Sequence, residues 1–422
     1  MRLLNTNTIE LQEFAENEIP PYAILSHTWG DGEVSLQELV GGRAAGKSGL
    51  QKIKQYCALA KSRGFAHVWI DTCCIDKTSS AELSEAINSM YQWYEEAAEC
   101  HAYLADVVSE SDLAGSQWCT RGWTLQELIT PETIIFFNKD WEQLGTKQSL
   151  GESIWMCTRI PVGVLHGSRG VESFSVAQRM SWAATRKTTR AEDGAYCLMG
   201  LFAINMPLLY GEREREFIRL QEEIIKVIDD DSIFAWRCSY DSEGILASSP
   251  AGFLHSSHIV NDPAPGSFPS NPPTASSKGI HLEARFMGIN IMGYGIVILD
   301  CKEEGGFAPL AIVVKDIFLN KAKFKRVASN LLVTVHMGTF APRLYPIRKI
   351  CVQKARLYWA PVGSISKPGT TWKVKIHCAP LLGLARRVLP GVCWSAGLQS
   401  ELRRKQTERQ YHMPPKWAIQ TS

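Results

Sequence analysis

The length, composition and charge of the chain limit its fold and its partners. Its 422 residues are too many for one ordinary compact domain, and a content of 45% hydrophobic and 21% charged residues excludes a largely disordered chain. With 45 basic and 43 acidic residues the formal net charge is +2, so no overall electrostatic field favours nucleic acid or an anionic membrane.

The N-terminus and the cysteines predict a cytoplasmic protein. Residues 1–10 lack the basic and apolar segments of a secretory signal, and the twelve cysteines are spread along the chain, unlike those of a small secreted disulfide scaffold. Such thiols stay reduced in the cytosol. The longest apolar candidate, Gly293 to Leu299, has only the length of a strand, so we expect no membrane span.

Between Tyr22 and Phe137 short apolar runs alternate with longer amphipathic segments. The apolar runs predict four strands, at residues 22–26, 67–71, 101–105 and 133–137. Apolar stripes at helical spacing lie between them, namely Leu50, Ile53, Cys57 and Ala60, and then Leu83, Ile87, Met90, Tyr91 and Tyr94. Ser79 and Glu82 predict a capping box for the second helix. The alternation predicts an α/β fold with a small parallel sheet flanked by helices.

The ends of the predicted strands indicate where a ligand would bind. Ligands on parallel sheets bind beyond the carboxyl ends of the strands. This rule places Ser26 to Gly30, Asp71 to Lys77 and Asp106 at one edge of the sheet.

The remainder of the chain divides by composition. We predict an α/β domain over residues 1–150, a helical extension packed on it over 151–240, a Pro/Gly/Ser-rich linker over 241–280, a β-rich domain over 281–382 and an unassigned tail over 383–422. The extension has predicted helices at residues 180–185, 191–202 and 213–228. The β-rich domain has predicted strands at residues 296–299, 310–314, 331–335 and 372–376.

Gly41 to Ser48 fits the pattern GxxxxGK[ST] of phosphate-binding loops. A true loop of this kind follows a buried strand, whereas Val34 to Val40 contains polar residues typical of a surface helix or turn. A nucleotidase that uses Lys47 and Ser48 is therefore only a minor alternative.

The segment Asp71 to Lys77 contains two carboxylates and two adjacent cysteines. Adjacent cysteines do not match the CxxC spacing of zinc ligands, so we predict no metal site. In one interpretation Cys73 or Cys74 packs inward while Asp71 and Asp76 accept hydrogen bonds from loop amides. In the other, the segment is a loop that binds a ribose or an amide at the sheet edge.

The segment Ser116 to Leu128 could place an aromatic ring beside a carboxylate. If a helix begins near Gly122, Trp123 and Glu127 share one face. The ring could stack on a base while the carboxylate accepts ribose hydroxyl groups and favours an oxocarbenium charge. Alternatively, Trp123 and Leu128 belong to the core and Glu127 pairs with Arg121 or a lysine.

Three segments in fixed order resemble the signature blocks of the fungal heterokaryon-incompatibility (HET) domain. They are residues 22–30, 69–90 and 121–128, and the likeness continues through 192–202, 206–212 and 232–236, so that it covers roughly residues 1–236. The resemblance implies a role in programmed cell death after fusion of genetically unlike fungal cells. It also implies activation by a partner receptor or control by the chain's own C-terminal domain.

HET domains are in turn similar to Toll/interleukin-1 receptor (TIR) domains, some of which cleave NAD⁺ at the nicotinamide bond. This similarity implies a TIR/flavodoxin-like sheet, with NAD⁺ as a substrate and no bound cofactor. The catalytic glutamate of those enzymes lies in a Trp-x-x-x-Glu-Leu pattern, which Trp123 to Leu128 repeats, so the resemblance makes Glu127 the catalytic residue. The implied pocket residues are Ser26, His27, Trp29, Gly30, Asp71, Cys73 and Trp123. Many TIR domains are adaptors, so the alternative is a non-enzymatic module that acts by self-association or receptor binding.

Overall fold

The computed structural model describes residues 1–238, 244–262, 271–288, 293–319, 322–335, 347–354 and 392–394. The chain forms two compact units. The first unit comprises residues 1–236 and 246–258, and the second comprises 237–245 and 259–422. The predicted linker therefore began too early, because residues 246–258 fold with the first unit. Leu246 and Phe253 are fully buried there, and the 3₁₀ turn Pro250–Phe253 packs on the helix Val176–Ala183.

A seven-stranded sheet forms the centre of the first unit. Its strands are β1 Arg2–Asn5, β2 Leu11–Glu13, β3 Tyr22–His27, β4 His67–Trp69, β5 Glu99–Tyr103, β6 Ile134–Phe137 and β7 Gln143–Thr146. They lie in the order β2-β1-β4-β3-β5-β6-β7. The strands β4, β3, β5 and β6 are parallel, which confirms the four predicted strands, whereas β1, β2 and β7 add antiparallel edges that were not predicted. All six residues of β3 are buried, as expected for a parallel strand covered on both faces.

Helices of the described residues flank this sheet and form the extension. They are α1 Leu36–Val40, α2 Ser48–Ser62, α3 Asp71–Cys74, α4 Ser80–Glu96, α5 Gln117–Thr120, α6 Thr124–Ile129, α7 Gly151–Thr158, α8 Val162–Leu165, α9 Val176–Ala183, α10 Asp193–Tyr196 and α11 Arg215–Val227. Short 3₁₀ turns lie at Glu16–Glu18, Glu110–Gly115, Val171–Ser173, Gly200–Phe202, Asp231–Phe234 and Pro250–Phe253. In the described part of the chain, no helix combines the length and apolar character that a membrane crossing needs.

The two predicted amphipathic helices correspond to α2 and α4. The hydroxyl of Ser79 caps α4 by accepting a hydrogen bond from the Glu82 backbone N–H at 3.3 Å. The predicted return contact from Glu82 is absent. Its carboxylate instead accepts the Asp76 backbone N–H at 2.6 Å and pairs with Arg2 of β1, because those donors offer it a stronger partner than the cap amide.

The extension is less regular than the sequence predicted. A single helix expected over residues 191–202 is replaced by α10 and the 3₁₀ turn Gly200–Phe202, between which the chain turns onto α4. At this contact the backbone of Gly200 lies so close to the ring of Tyr91 that a Cβ atom would be 2.3 Å from it. The absence of a side chain at Gly200 therefore permits the close packing of the extension on α4.

Substituting Gly200 with alanine is expected to destabilise the first unit by about 2 kcal/mol, because the ring of Tyr91 would have to move out of a packed interface. Urea unfolding of the full chain measures the effect. Gly115→Ala is the matched control, because a Cβ atom there meets nothing within 4 Å. Equal stability of the two variants would contradict the close contact.

The second unit is β-rich, as predicted. Its strands in the described ranges are β8 Ile259–Val260, β9 Thr274–Ser276, β10 Gly279–Gly288, β11 Tyr294–Glu303, β12 Pro309–Asp316, β13 Lys323–Arg326, β14 Val333–Val335, β15 Ile347–Val352 and β16 Val392–Trp394. Pairing runs from β10 to β11, β12, β13 and β15 and returns to β10, so these strands close into a barrel. The predicted strands at 296–299, 310–314 and 331–335 fall within β11, β12 and the region of β14. The one at 372–376 lies outside the described residues, as does the predicted tail apart from β16.

Candidate functional site

A cavity of about 600 Å³ lies in the first unit. The ends of β3 and β4 and the start of α6 form one wall, and α4 contributes apolar side chains such as Ile87 and Met90. A second wall comes from residues 187–190 between α9 and α10, from Asp193 at the start of α10 and from Tyr210. The cavity thus lies where the sequence analysis placed a binding site, beyond the carboxyl ends of two parallel strands.

The strand order explains why distant residues meet here. Strands β3 and β4 are parallel neighbours, with Ile24 opposite Trp69, so the residues that follow them lie at the same edge. His27 ends β3, and Asp71 begins α3 just after β4. Helix α6 packs against β3 and carries Glu127 in its first turn. Five predicted residues therefore line one cavity: His27, Trp29, Asp71, Trp123 and Glu127.

Glu127 is 6% exposed and is held from behind by a chain of hydrogen bonds. Ser26 donates its hydroxyl proton to Glu127 Oε2, and Trp118 Nε1 donates to Ser26 Oγ at 2.8 Å. Burial raises the pKa of Glu127 to about 8, and the charge of Asp71 adds to this, while Ser26 and the cations Arg121 and Arg186 oppose it. At neutral pH the carboxyl group is therefore mostly protonated.

Asp71 is the opposite kind of carboxylate. His27 Nε2 lies 2.9 Å from its Oδ1, and Trp29 Nε1 donates to its Oδ2 at 2.8 Å. Lys77 Nζ lies 3.8 Å from the same carboxylate and 3.7 Å from the centre of the Trp29 ring. Burial opposes its charge, but Lys77, His27 and Trp29 together outweigh that effect, so the pKa of Asp71 lies well below its usual value. Asp71 is thus ionised and holds the half-exposed Trp29 ring at the cavity.

The second wall contains residues that the sequence did not predict as site residues. Tyr210 donates its hydroxyl proton to Asp193 Oδ1 at 3.1 Å, and the guanidinium of Arg190 lies 4.5 Å from the centre of the Tyr210 ring. Burial raises the pKa of Asp193, and the Tyr210 hydroxyl and the nearby Trp123 ring offset part of that shift. Trp123 therefore lies near a carboxylate on this wall of the cavity.

Comparison with known proteins identifies related sequences. The family model described as heterokaryon incompatibility protein (HET) matches residues 22–116. The chain contains a HET domain. Over 238 residues it is 45% identical to the vegetative incompatibility protein HET-E-1 of Podospora anserina, a match that covers 53% of this chain and 17% of that protein. The chain thus spans about a sixth of the length of the curated relative that it matches. A second model, a domain of unknown function (DUF8212), matches residues 215–265, and no solved structure matches the chain.

The HET match includes only part of the cavity. His27, Trp29 and Asp71 lie inside the matched residues, whereas Trp123, Glu127 and the second wall follow them. The residues that sequence reasoning missed, Asp193 and Tyr210 among them, nevertheless lie in segments 192–202 and 206–212, which carry the wider resemblance. The resemblance in these two segments was the sequence signal that could have indicated a contribution of the extension to the cavity.

Three predicted HET-domain residues do not line the cavity. Ser26 is fully buried behind Glu127. Gly30 lies on the exposed loop after β3, where its N–H donates to Glu33 Oε1 at 2.9 Å. Cys73 is fully buried with its thiol directed to the Ile70 carbonyl, so it packs inward while Asp71, two residues earlier, faces the cavity. Asp106 is also elsewhere, since its carboxylate accepts hydrogen bonds from Ser116 and Gln117 at the start of α5.

The GxxxxGK[ST] match in the HET domain does not form a phosphate-binding loop. Helix α1, capped by Ser35, precedes it in place of a buried strand. Lys47 Nζ is 2.5 Å from Glu38 Oε1 and donates to the Glu33 carbonyl at 3.2 Å, so its charge is already paired. Within the described ranges, no three His, Cys, Asp or Glu side chains are grouped in a way that would hold a metal ion.

Proposed function

We propose that this chain is a heterokaryon-incompatibility effector that triggers cell death in the cytoplasm by cleaving NAD⁺ in the cavity described above. The HET domain and the likeness to a vegetative incompatibility protein support the biological role. The observation that carries the chemistry is a buried carboxyl group, Glu127, that opens into a cavity lined by two indole rings, of which Trp29 is hydrogen-bonded to Asp71.

The order of the parallel strands supports the analogy with TIR/flavodoxin-like enzymes. Numbered along the chain, the four parallel strands lie in the order second, first, third, fourth. Doubly wound sheets of the flavodoxin type begin with that order and bind their ligand where it reverses, beside the first strand. In this chain the first parallel strand is β3, and the residues at its end, His27 and Trp29, line the cavity.

In the proposed reaction the bond between the nicotinamide nitrogen and ribose C1′ breaks. The bonding electrons leave with nicotinamide, positive charge develops on the ribose, and water adds to C1′ to give ADP-ribose and a proton. A carboxylate next to C1′ would stabilise that charge. The pKa of Glu127, about 8 in the free protein, would fall beside the cationic pyridinium ring, so substrate binding itself would ionise the group.

The two tryptophans suit the flat rings of such a ligand. Asp71 and Lys77 fix the Trp29 ring, so the orientation of its face is set before binding, and Trp123 supplies a second ring in the same cavity. Pre-organised rings lose less rotamer freedom when the ligand binds.

Incubation of the concentrated full chain with NAD⁺ tests the proposal. The wild type is expected to release nicotinamide, and Glu127→Ala to release it at least about 100-fold more slowly. Glu132→Ala, which removes an exposed carboxylate five residues further along, is the matched control and should retain the wild-type rate. Equal rates in both variants, or no nicotinamide from the wild type, would overturn the proposed chemistry.

The second candidate is a non-enzymatic signalling module that binds a receptor or a second copy of itself. It is favoured by two neighbouring apolar side chains on α7, Trp155 and Met156, which are 39% and 55% exposed. Scoring cell death in Glu127→Gln and Met156→Asp strains separates the candidates. The enzyme requires loss of killing in the first strain, whereas the signalling module requires loss in the second alone.

A further inference from the structure

We propose that Arg121 and Lys187 form a subsite for the phosphate groups of a nucleotide bound in the cavity. The choice of ligand class rests on the proposed function, since a ribose held at Glu127 carries its phosphate nearby. The subsite itself requires only binding and no bond cleavage.

The backbone brings the two cations side by side. Arg121 and Lys187 are partners in an isolated parallel β-bridge, in which Lys187 N–H donates to the Thr120 carbonyl at 2.7 Å and Gly122 N–H donates to the Lys187 carbonyl at 2.8 Å. Bridge partners project on the same side of the backbone pair. Both side chains accordingly line the cavity.

The backbone segments that form the bridge are closely packed against each other. A Cβ atom at Gly122 would lie 2.4 Å from Thr188 Cγ2 and 3.1 Å from the Cys197 sulfur, so only glycine fits between the two segments. Thr188 in turn donates its hydroxyl proton to the Arg190 carbonyl at 2.6 Å, which shapes the loop after Lys187. The closely packed backbone therefore fixes the positions from which the Arg121 and Lys187 side chains project.

These cations have no counter-charge of their own. Neither side chain makes a hydrogen bond or an ion pair with any residue in the described part of the chain. Two like charges directly opposite each other are destabilising, and a bound anion would offset that cost.

The carboxyl groups of the cavity do not supply the missing anion. Asp71 is held by its three donors, and Asp193 accepts a hydrogen bond from Tyr210. Glu127 is mostly protonated at neutral pH and so carries little negative charge. With Lys77 and Arg190 also lining the cavity, the balance of charge favours a polyanion such as a diphosphate.

Calorimetric titration of the full chain with ADP and with adenosine tests the subsite. ADP is expected to bind the wild type more tightly than adenosine, and Lys187→Ala to weaken ADP binding about tenfold without affecting adenosine. Lys187 is exposed, so its truncation should leave the fold intact, which a thermal melt checks. Lys139→Ala removes an exposed lysine outside the cavity and is the matched control for charge. ADP binding that is equal in the two variants, or no stronger than adenosine binding in the wild type, would overturn the subsite.

Nicotinamide release in the same variants separates this proposal from the proposed reaction. Weakened ADP binding in Lys187→Ala, with no nicotinamide release from the wild type, supports the subsite and rejects the cleavage. Release with an unchanged KM for NAD⁺ in Lys187→Ala supports the cleavage and rejects the subsite.

Discussion

Replacing Glu127 with glutamine is expected to stabilise the protein, and to do so more strongly as the pH rises. The folded pKa of about 8 lies above the ordinary value of 4.5, so the folded state holds the proton more tightly than the unfolded state does. The stability that this carboxyl group contributes is fully present below about pH 4.5 and is lost as the pH rises through 8. Glutamine stays neutral and does not incur that loss.

Urea unfolding at pH 5.5 and pH 8.5 measures the effect. Each pKa unit corresponds to about 1.4 kcal/mol, so the advantage of Glu127→Gln should grow by about 3 kcal/mol between these two pH values. The hydroxyl of Ser26 can still donate to the amide oxygen, which keeps the local hydrogen bond. Glu132→Gln, at an exposed position, should leave the pH dependence of the free energy of unfolding unchanged. If the free energy of unfolding changed equally with pH in Glu127→Gln and in the wild type, the conclusion that burial raises the pKa of Glu127 would be contradicted.

A gain in stability from removing a carboxyl group would support a functional reason for keeping it. Charged or titratable groups held at a cost to stability cluster at active sites. A group that only supported the fold would have the opposite effect when replaced.

Asp71→Asn is expected to destabilise the protein by about 2 kcal/mol at pH 7. The pKa of Asp71 is lowered in the folded state, so its contribution is present above the ordinary value of 3.8 and is lost only as the pH falls through the lower folded pKa. At neutral pH ionised Asp71 therefore makes its full contribution to stability, and Asp71→Asn loses all of it. Asparagine has one acceptor oxygen, and its amide group would face the N–H of His27 or Trp29 with a second donor.

Chemical unfolding at pH 7 checks this prediction, with Asp140→Asn as the control. Asp140 also pairs with a lysine, Lys139, but its side chain is 57% exposed, so its loss should cost little. The Trp29 ring would lose its anchor, and quenching of tryptophan fluorescence by acrylamide should increase in Asp71→Asn. A variant as stable as the control would show that Asp71 does not organise this wall of the cavity.

The two substitutions have opposite expected signs although both carboxyl groups line one cavity. Asp71 is surrounded by donors and a lysine, whereas Glu127 is buried with one hydroxyl donor. Environments that separate the pKa values of two carboxyl groups are the usual way in which a site obtains one charged group and one proton-bearing group at the same pH.

The local pattern of the chain was enough to predict most of the sheet and one wall of the cavity. Alternating apolar runs predicted β3, β4, β5 and β6, because buried parallel strands need continuous apolar residues. The direction of the strands then placed His27 and Asp71 at one edge, together with Asp106, which lies elsewhere, whereas Glu127 was indicated by its spacing from Trp123 and by the family resemblance. The edge strands β1, β2 and β7 were missed, since their short segments mix polar with apolar residues and form no apolar run.

The amino-acid sequence by itself determined which side chains have the chemistry for a binding site. The tertiary structure decided which of these side chains lie together in the cavity. Cys73 and Asp71 belong to one short segment, yet one faces the core and the other the cavity. Lys187, Asp193 and Tyr210 reach the cavity only because the extension packs on α4 and pairs with the segment before α6. The raised pKa of Glu127, which keeps the carboxyl group protonated, is likewise a result of tertiary packing. A pKa depends on burial and on neighbouring charges, and those are set by contacts between residues that lie far apart along the chain.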